Sequence, residues 1–321
     1  MSDNRKEGEE KMTKAIFISG DGWLAVFDLL PASQLGLGIA LISHRFDFYV
    51  DEHFRTRKWS LDVLSFGRKI GENGTNEMGI VNYDGEALPI PPIELPRRVI
   101  GFERIIISFI DRNTIDFLRR FRQLFASCPI YLTIFTYNDR MLEFVLRTIW
   151  PMLGKNICAM RLSTESFRCL RQFVPSILND SLSKWLFTPN SNDVPKMFNC
   201  WLDMDLTSNV EAFKAAFANS SSSVNFIVVI WFRSPFASSV VPFALTNKLT
   251  REQLTLKRTD NSSQCFLLVR CPIARDESKW AKWEEEAIGW QIYNQWNNID
   301  IQIYDKHGIE DGLLDETLGP K

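Results

Sequence analysis

The stretch RIIISFIDRNTIDFLRRFRQLFASCPIYLTIFT (Arg104 to Thr136) decides how this chain folds. RIIISFID (104–111) is a short apolar run rich in β-branched residues, which is the pattern of a strand. NTIDFLRRFRQLFAS (113–127) repeats its apolar residues every three or four positions, which is the pattern of a helix. IYLTIFT (130–136) is a strand again. The alternation continues outward through NDRMLEFVLRTIWPML (helix), NICAMRL (strand) and STESFRCLRQFVPSIL (helix). The strand centres Ile105, Leu132 and Ala159 follow at intervals of 27 residues. FNCWLDMDL (strand), TSNVEAFKAAFAN (helix) and VNFIVVIWF (strand) repeat the unit, with Cys200 and Ile227 again 27 apart. A strand-helix unit of fixed length cannot bury its own apolar face and must stack on the next. The region 101–233 therefore reads as a solenoid-like parallel sheet resembling a leucine-rich repeat. Ala159 and Cys200 are 41 residues apart. No strand is readable between Asn179 and Lys184, so one unit is expected to be abbreviated near 180–197.

From Ser234 the pattern shortens. VVPFALT, EQLTLKRT and QCFLLVRCPI alternate as an antiparallel meander. DESKWAKWEEEAIGWQIYNQW (276–296) reads as an amphipathic helix, capped by Asp276 or Ser278, with Trp280, Trp283, Ala287 and Trp290 at helical spacing. IDIQIYD closes region 234–305 as a strand, and 306–321 read as a polar tail. On the other side, WSLDVLSF (59–66) reads as a strand. MGIVNYDGEALPI carries Asp84-Gly85 between two apolar runs, a hairpin signal. PIPPIELP puts four prolines into eight residues, which makes the end of the 60–100 region a stiff connector. Residues 1–20 are mostly charged and read as a disordered tail.

Bulk properties exclude several classes. The 321 residues carry a formal net charge of −2, against a nucleic-acid binder that works by a basic surplus. Arg119 to Gln123 is a local basic run in a helical pattern and reads as a solvated face. The charged start MSDNRKEGEEKMTK and short AIFIS run do not make a secretory leader. No apolar run approaches the ~18 residues that span a bilayer. Cys128, Cys158, Cys169, Cys200, Cys265 and Cys271 form no CxxC pair and read as free thiols of a reducing compartment. On that reading the N-x-S/T sequons at Asn73, Asn179, Asn219 and Asn261 are chance matches.

The chemistry-bearing motifs are few. His44, His53 and His307 fall in no HExxH and no Cys/His cluster. There is no GxSxG elbow. GENGTN (71–76) lacks the lysine of a phosphate loop, and Gly36-Leu37-Gly38 lies in a helical pattern rather than a strand-to-helix turn. Asp111, Asp139 and Glu165 follow three successive strands and could form an acidic row for a metal or ligand. The preferred reading is capping of the helices that follow, through Asp111 or Asn113 and Asn138 or Asp139. The tryptophans of the last helix read as anchors to the meander rather than a ligand box. The expectation is therefore no catalytic residues, no metal and no cofactor.

The most apolar stretch is VFDLLPASQLGLGIALISHRFDFYV (26–50). WLAVFDLL reads as a helix ended by Pro31, because proline disfavours helical geometry at the residue before it. Ser33 can cap a second helix. Placed on one helix from Leu35 to Ile42, Leu35, Ile39 and Ile42 form one apolar stripe, and Leu37 and Leu41 another nearly opposite. RFDFYVDEHFRTRKW follows as a third helical segment. The three carry more apolar surface than about 40 residues can bury alone. Either the surplus packs on this chain or it docks another protein, and periodicity does not choose.

WLAVFDLLPASQLGLGIALISHRFDFYVDEHFRTRKW (23–59) resembles an F-box. Val26-Phe27 match the family's I-F step, Leu30-Pro31 its L-P, and Leu35 its next leucine. Leu41, Ile42, Ser43, Arg45 and Phe46 match the step before the third helix, and Trp59 the closing tryptophan. Trp23-Leu24 replace the usual opening Leu-Pro, and Gly36 and Gly38 sit inside the second helix, at a cost of ~1 kcal/mol each relative to alanine. IVNYDGEALPIPPIELPRRVIGFERI, SILND, LTNKLTREQLTLKR and FLLVRCPIARDESKWAKWEEEAIGW resemble the large F-box family expanded in nematodes, over most of residues 21–305. Relatives would carry a further strand after SILND.

The resemblance implies an α+β protein with a three-helix F-box at 21–59, the strand-helix units, and the meander with its helix. It implies a substrate-recognition subunit of a Skp–cullin–F-box ubiquitin ligase, cytoplasmic or nuclear, without bond chemistry of its own. Its partners would be a Skp-type adaptor, through it a cullin, and an unidentified target protein bound by the C-terminal region, with neither nucleic acid nor membrane. Leu24, Val26, Phe27, Leu30, Pro31, Leu35, Ile39, Ile42, Phe46 and Trp59 are the residues expected to contact the adaptor or directly support that contact. The alternative is a non-catalytic interaction scaffold whose F-box-like segment packs on its own chain.

Overall fold

The structure is a computed structural model. It describes residues 18–30, 32–55, 59–70, 76–81, 87–88, 99–126, 129–136, 138–153, 156–164, 181–190, 194–202, 207–232, 236–259, 262–289, 297–304 and 306–319. Helices α1 (Gly20–Phe27), α2 (Ala32–Leu37) and α3 (His44–Arg55) come first, with a 3₁₀ turn at Ile39–Leu41. Strands β1 (Trp59–Ile70), β2 (Asn76–Val81), β3 (Ala87–Leu88) and β4 (Val99–Ile107) follow. Then come α4 (Arg112–Arg120), α5 (Arg122–Ala126), β5 (Ile130–Thr136), α6 (Asp139–Thr148), α7 (Trp150–Leu153) and β6 (Ile157–Thr164). The chain continues through α8 (Ser181–Leu186), β7 (Lys196–Leu202), α9 (Thr207–Ala218) and β8 (Phe226–Phe232). It ends with β9 (Phe243–Asn247), β10 (Glu252–Thr259), β11 (Ser262–Pro272), α10 (Glu277–Gly289), β12 (Asn298–Ile303) and α11 (Leu313–Leu318).

The described strands make one 12-stranded sheet in the order β3-β2-β1-β4-β12-β5-β6-β7-β8-β11-β10-β9. The strands from β1 to β8 in that order are parallel, and both flanks are antiparallel. The architecture is mixed α/β. Leu64, Ile105, Ile299, Leu132, Met160, Phe198, Val228, Leu268 and Leu256 stand opposite one another across successive strands and are all nearly inaccessible. That row is the floor of the main core, which also takes in Phe117 and Leu118 of α4, Leu142 and Val145 of α6, and Leu182 and Trp185 of α8. The opposite face carries a second core, in which Trp280 and Ala287 of α10 join Met197, Ile227, Val229 and Leu267.

The 27-residue rhythm corresponds to real strands, and β5, β6, β7 and β8 do stack in sequence order. The solenoid expectation fails at β4 and β5, because the last strand of the chain, β12, is wedged between them. A solenoid stacks each unit on its neighbour in sequence, whereas here the first unit meets the rest only through β12. β6 pairs directly with β7, so no further strand separates the units on either side of the abbreviated region. The segment expected as a polar tail is built into the fold. Ile309 bridges to Ile110 and is 1% exposed, and Leu313 of α11 is buried. Arg112 pairs with Glu316, and Arg140 with Asp315, across α11.

The meander expectation agrees with the antiparallel β9, β10 and β11. A hairpin is present in β2 and β3, with Val81 opposite Ala87; Asp84, Gly85 and the prolines of 89–96 lie outside the described residues. Asp276 caps α10, its Oδ1 accepting from the Ser278 and Lys279 amides at 3.1 and 3.2 Å.

Candidate interaction surface of the N-terminal helices

Short helices need caps because their first amides have no partner inside the helix. Ser19 supplies one for α1: its Oγ accepts from the Gly22 amide at 3.2 Å. The Ser43 Oγ accepts from the Phe46 amide at 3.4 Å at the start of α3. The helix expected from Leu35 to Ile42 is in fact broken. At Gly38 the backbone leaves helical geometry (φ −125°, ψ −72°), and the 3₁₀ turn follows. Gly36 and Gly38 together weaken helix propagation enough for this. A Cβ on Gly38 would lie 2.8 Å from the Gln34 carbonyl oxygen, so the break needs glycine.

The inside of the unit is aromatic. Trp23 and Phe46 meet edge-on at 4.9 Å between ring centres, and Phe27 meets His53 edge-on at 5.9 Å. Phe27, Leu35, Val50 and Phe54 are at most 1% exposed and belong to the same core as Leu64 and Phe66 of β1 and the rest of the sheet. Helix α2 rests on β1.

Of the residues expected at an adaptor contact, Val26 and Ile42 are exposed, at 38% and 62%. Leu24, Leu30, Ile39 and Phe46 are half-buried and pack against the core. Phe27 and Leu35 are buried and shape the surface from below. Pro31 lies outside the described residues, as do the side chains of Leu37 and Trp59. The Leu35 stripe is therefore split: Leu35 closes the unit onto its own chain and Ile42 faces outward.

No protein-family model, curated protein or solved structure matches the chain.

Two exposed apolar residues escaped the sequence pattern, Leu29 at 82% and Phe48 at 64%. Leu29 follows the end of α1, where helical spacing no longer applies. Phe48 had a signal: it stands 200° from Val50 on an ideal helix, so if Val50 faces the core Phe48 faces out.

The described members of the acidic row, Asp111 and Asp139, sit at the starts of helices. Asp111 is buried as the cap of α4, its Oδ1 accepting from the amide and hydroxyl of Thr114, both at 2.7 Å. Asn138 caps α6 by accepting from the Met141 amide at 3.0 Å, and Asp139 is the first residue of that helix. Glu165 lies outside the described residues. Among the described residues no group of three or more His, Cys, Asp or Glu could hold a metal ion. Cys158, Cys200, Cys265 and Cys271 are free thiols. Burial pushes the thiols of Cys200, Cys265 and Cys271 up, which makes them poor nucleophiles. Cys128 and Cys169 lie outside the described residues. Across the back of the sheet, burial pushes the Asp300 carboxyl up against the pull of Arg104, whose Nε lies 3.5 Å away. Among the described residues no helix is long and apolar enough to cross a membrane.

Proposed function

We propose that this chain is the substrate-recognition subunit of a Skp–cullin–F-box ubiquitin ligase, with α1–α3 docking a Skp-type adaptor. The observation that carries this reading is where apolar surface is left uncovered. Of the eight large apolar side chains that are exposed among the described residues, four lie in the segment of the first three helices, Val26 on α1, Phe48 on α3, and Leu29 and Ile42 in the connections between helices. Those helices already have a closed interior, so the exposed set is not a failure to pack. Exposed apolar side chains gathered in one short segment of chain are where a partner is sought first.

The burial of Phe27, Leu35, Val50 and Phe54 supports one part of the scaffold alternative, that this segment packs on its own chain. The two readings divide the unit between them. Phe27, Leu35, Val50 and Phe54 fix the helices to the sheet, and Val26, Leu29, Ile42 and Phe48 are left for a partner. An adaptor held on α1–α3 is then rigidly placed relative to the sheet, and a target bound elsewhere on the sheet is held at a set distance from the ligase. The chain acts by raising effective concentration and performs no bond chemistry.

The test is a pull-down of a Skp-type adaptor by the full chain and by a Leu29→Asp/Ile42→Asp variant. Each buried Leu or Ile side chain contributes ~1.5–3 kcal/mol, so the double variant is expected to lose detectable binding while keeping its thermal unfolding midpoint. Undiminished capture, or no capture by the unaltered chain, overturns the proposal.

A further inference from the structure

We infer that the face of the sheet opposite the main core binds an acidic segment of the target protein, with Arg161 receiving a carboxylate. One point rests on the ligase reading, that the bound segment belongs to a target. Asp300 of β12, Thr133 of β5, Arg161 of β6 and Asn199 of β7 stand opposite one another in a row. Their chain neighbours Ile299, Leu132, Met160 and Phe198 form the floor of the main core, so by alternation this row lies on the other face. Arg161 Nε and Asn199 Oδ1 are enclosed and have no hydrogen-bond partner. Asn199 is 2% exposed, whereas Arg161 is half-buried. Enclosed polar atoms are nearly always paired, so two on directly opposed residues call for a group that pairs them.

The chemistry of the row selects the occupant. Arg104 Nε lies 3.5 Å from Asp300 Oδ2, and Arg161 draws on the same carboxyl. Two guanidinium groups thus share one carboxylate, which leaves a positive charge to be matched. Glu286 of α10, which acts on Tyr131 in the next row, is held by Lys282 at 3.9 Å. Arg161 Nε needs an acceptor and Asn199 Oδ1 needs a donor. An acidic residue within a peptide supplies both, its carboxylate to Arg161 and a backbone amide to Asn199. A simple anion without an N–H or O–H supplies only the first.

Beside the row, the same face has room for the rest of a segment. Gln302, Phe135, Ser163, Trp201 and Trp231 come one alternation further along β12, β5, β6, β7 and β8, and all five are half-buried. The Trp201 and Trp231 rings stack, with 5.3 Å between centres and 21° between planes, and hold each other in place. Neighbouring strands lie ~4.8 Å apart, so the strip is ~19 Å long, the reach of about six residues of extended chain. An aromatic strip of that length beside an unmatched cation fits a peptide, and a small acid would leave most of it uncovered.

The experiment is binding of the purified full chain to a spot array of hexapeptides, randomised at five positions and carrying glutamate, glutamine or lysine at the third. Glutamate spots are expected to bind about tenfold more strongly than glutamine spots, the size of one charge-assisted hydrogen bond, and lysine spots to bind weakest. Arg161→Met is expected to lose the preference for glutamate with no fall in melting midpoint, because the enclosed Nε it removes pairs with nothing in the folded chain. Arg161→Lys keeps the charge and is expected to keep part of the preference. Equal binding of glutamate and glutamine spots, or a preference that survives Arg161→Met, overturns the inference. So does a marked fall in the melting midpoint of Arg161→Met, which would make the arginine structural. N-acetylglutamate competing as well as soluble glutamate hexapeptides would overturn it too, since the aromatic strip would then add nothing. The adaptor is absent from this assay. Glutamate preference without adaptor capture sinks the ligase reading alone, and adaptor capture without glutamate preference sinks this inference alone.

Discussion

Arg270 and Glu252 close an ion pair away from solvent, with Nη2 2.7 Å from Oε2 and the two side chains 2% and 1% exposed. The pair does more than neutralise itself. Glu252 Oε1 accepts from the Val224 amide at 2.7 Å and the Ser223 hydroxyl at 2.9 Å, and Arg270 Nη2 donates to the Ser222 carbonyl at 2.6 Å. Together they tie the loop before β8 to β10 and β11. Arg270→Met leaves a buried carboxylate without its counter-charge, and is expected to cost about 3–5 kcal/mol in urea unfolding. Glu252→Gln keeps an acceptor for Val224 and should cost less. Equal losses in the two variants would show that the broken charge pair sets the cost and that the retained Val224 contact offsets none of it.

The last strand is what joins the first unit to the others. Ile299, Ile301 and Ile303 of β12 are all 0% exposed, and Ile301 stands between Ile107 of β4 and Ile134 of β5. Ile301→Ala is expected to cost about 2–5 kcal/mol, as for other buried Ile-to-Ala changes. A chain ended at residue 297 should not fold, because β4 and β5 would each expose an unpaired edge. A chain ended at residue 305 loses α11, with its buried Leu313 and surface ion pairs, and should fold with a lower melting midpoint. Cooperative unfolding of the chain ended at 297, seen by circular dichroism, would refute the central place given to β12.

Sequence periodicity located these elements but not their neighbours. The strands around Ile105, Leu132 and Ala159 were legible because short β-branched runs alternate with helical spacing. IDIQIYD was legible as a strand too. Its position was not, because an isoleucine buried on a parallel sheet has the same pattern whichever two strands flank it. The helix break at Gly38 was missed because a helical wheel assumes unbroken 100° steps. The tail was misread because 306–319 buries only a few side chains, and its hold on the fold comes from ion pairs to Arg112 and Arg140, far away in sequence. In the candidate interaction surface, the family pattern named Val26 and Ile42, which are exposed, beside Phe27 and Leu35, which are not. A linear motif records which residues a unit needs without separating those that pack it from those that face a partner.

Gly38 offers a test of how far the helical unit depends on its broken second helix. Its amide donates to the Gln34 carbonyl at 3.0 Å, and an added Cβ would lie 2.8 Å from the same oxygen. Gly38→Ala is expected to loosen that turn and to lower stability by ~1–3 kcal/mol, the range for forcing extra atoms into a packed site. Gly289, beside which nothing lies within 4 Å, is the control. Gly289→Ala should leave the melting midpoint almost unchanged, and a loss equal to that of Gly38→Ala would remove the steric explanation.

Lys196 gives the fold a pH dependence with a definite sign. At the start of β7 it is 4% exposed, its Nζ donating to the carbonyls of Trp185 and Thr188 and lying 5.3 Å from the centre of the Trp185 ring. Burial pushes its amine down to about 8 from the ordinary value of 10.5, because the charged form loses its hydration. Below pH 8 both folded and unfolded chains carry the proton, and the folded state bears the full cost of a buried charge. Between pH 8 and 10.5 the unfolded chain binds more protons than the folded one, so the contribution of this group to stability rises with pH. A tenfold change in proton affinity corresponds to ~1.4 kcal/mol, which sets a ceiling of about 3 kcal/mol on the gain. Lys196→Met removes the titrating amine and keeps much of the apolar stem. Urea unfolding from about pH 7 to about pH 10 should therefore show a smaller upward slope in the variant than in the unaltered chain, since other groups titrate equally in both. Identical slopes would mean that the two carbonyls hold the ammonium as well as water does.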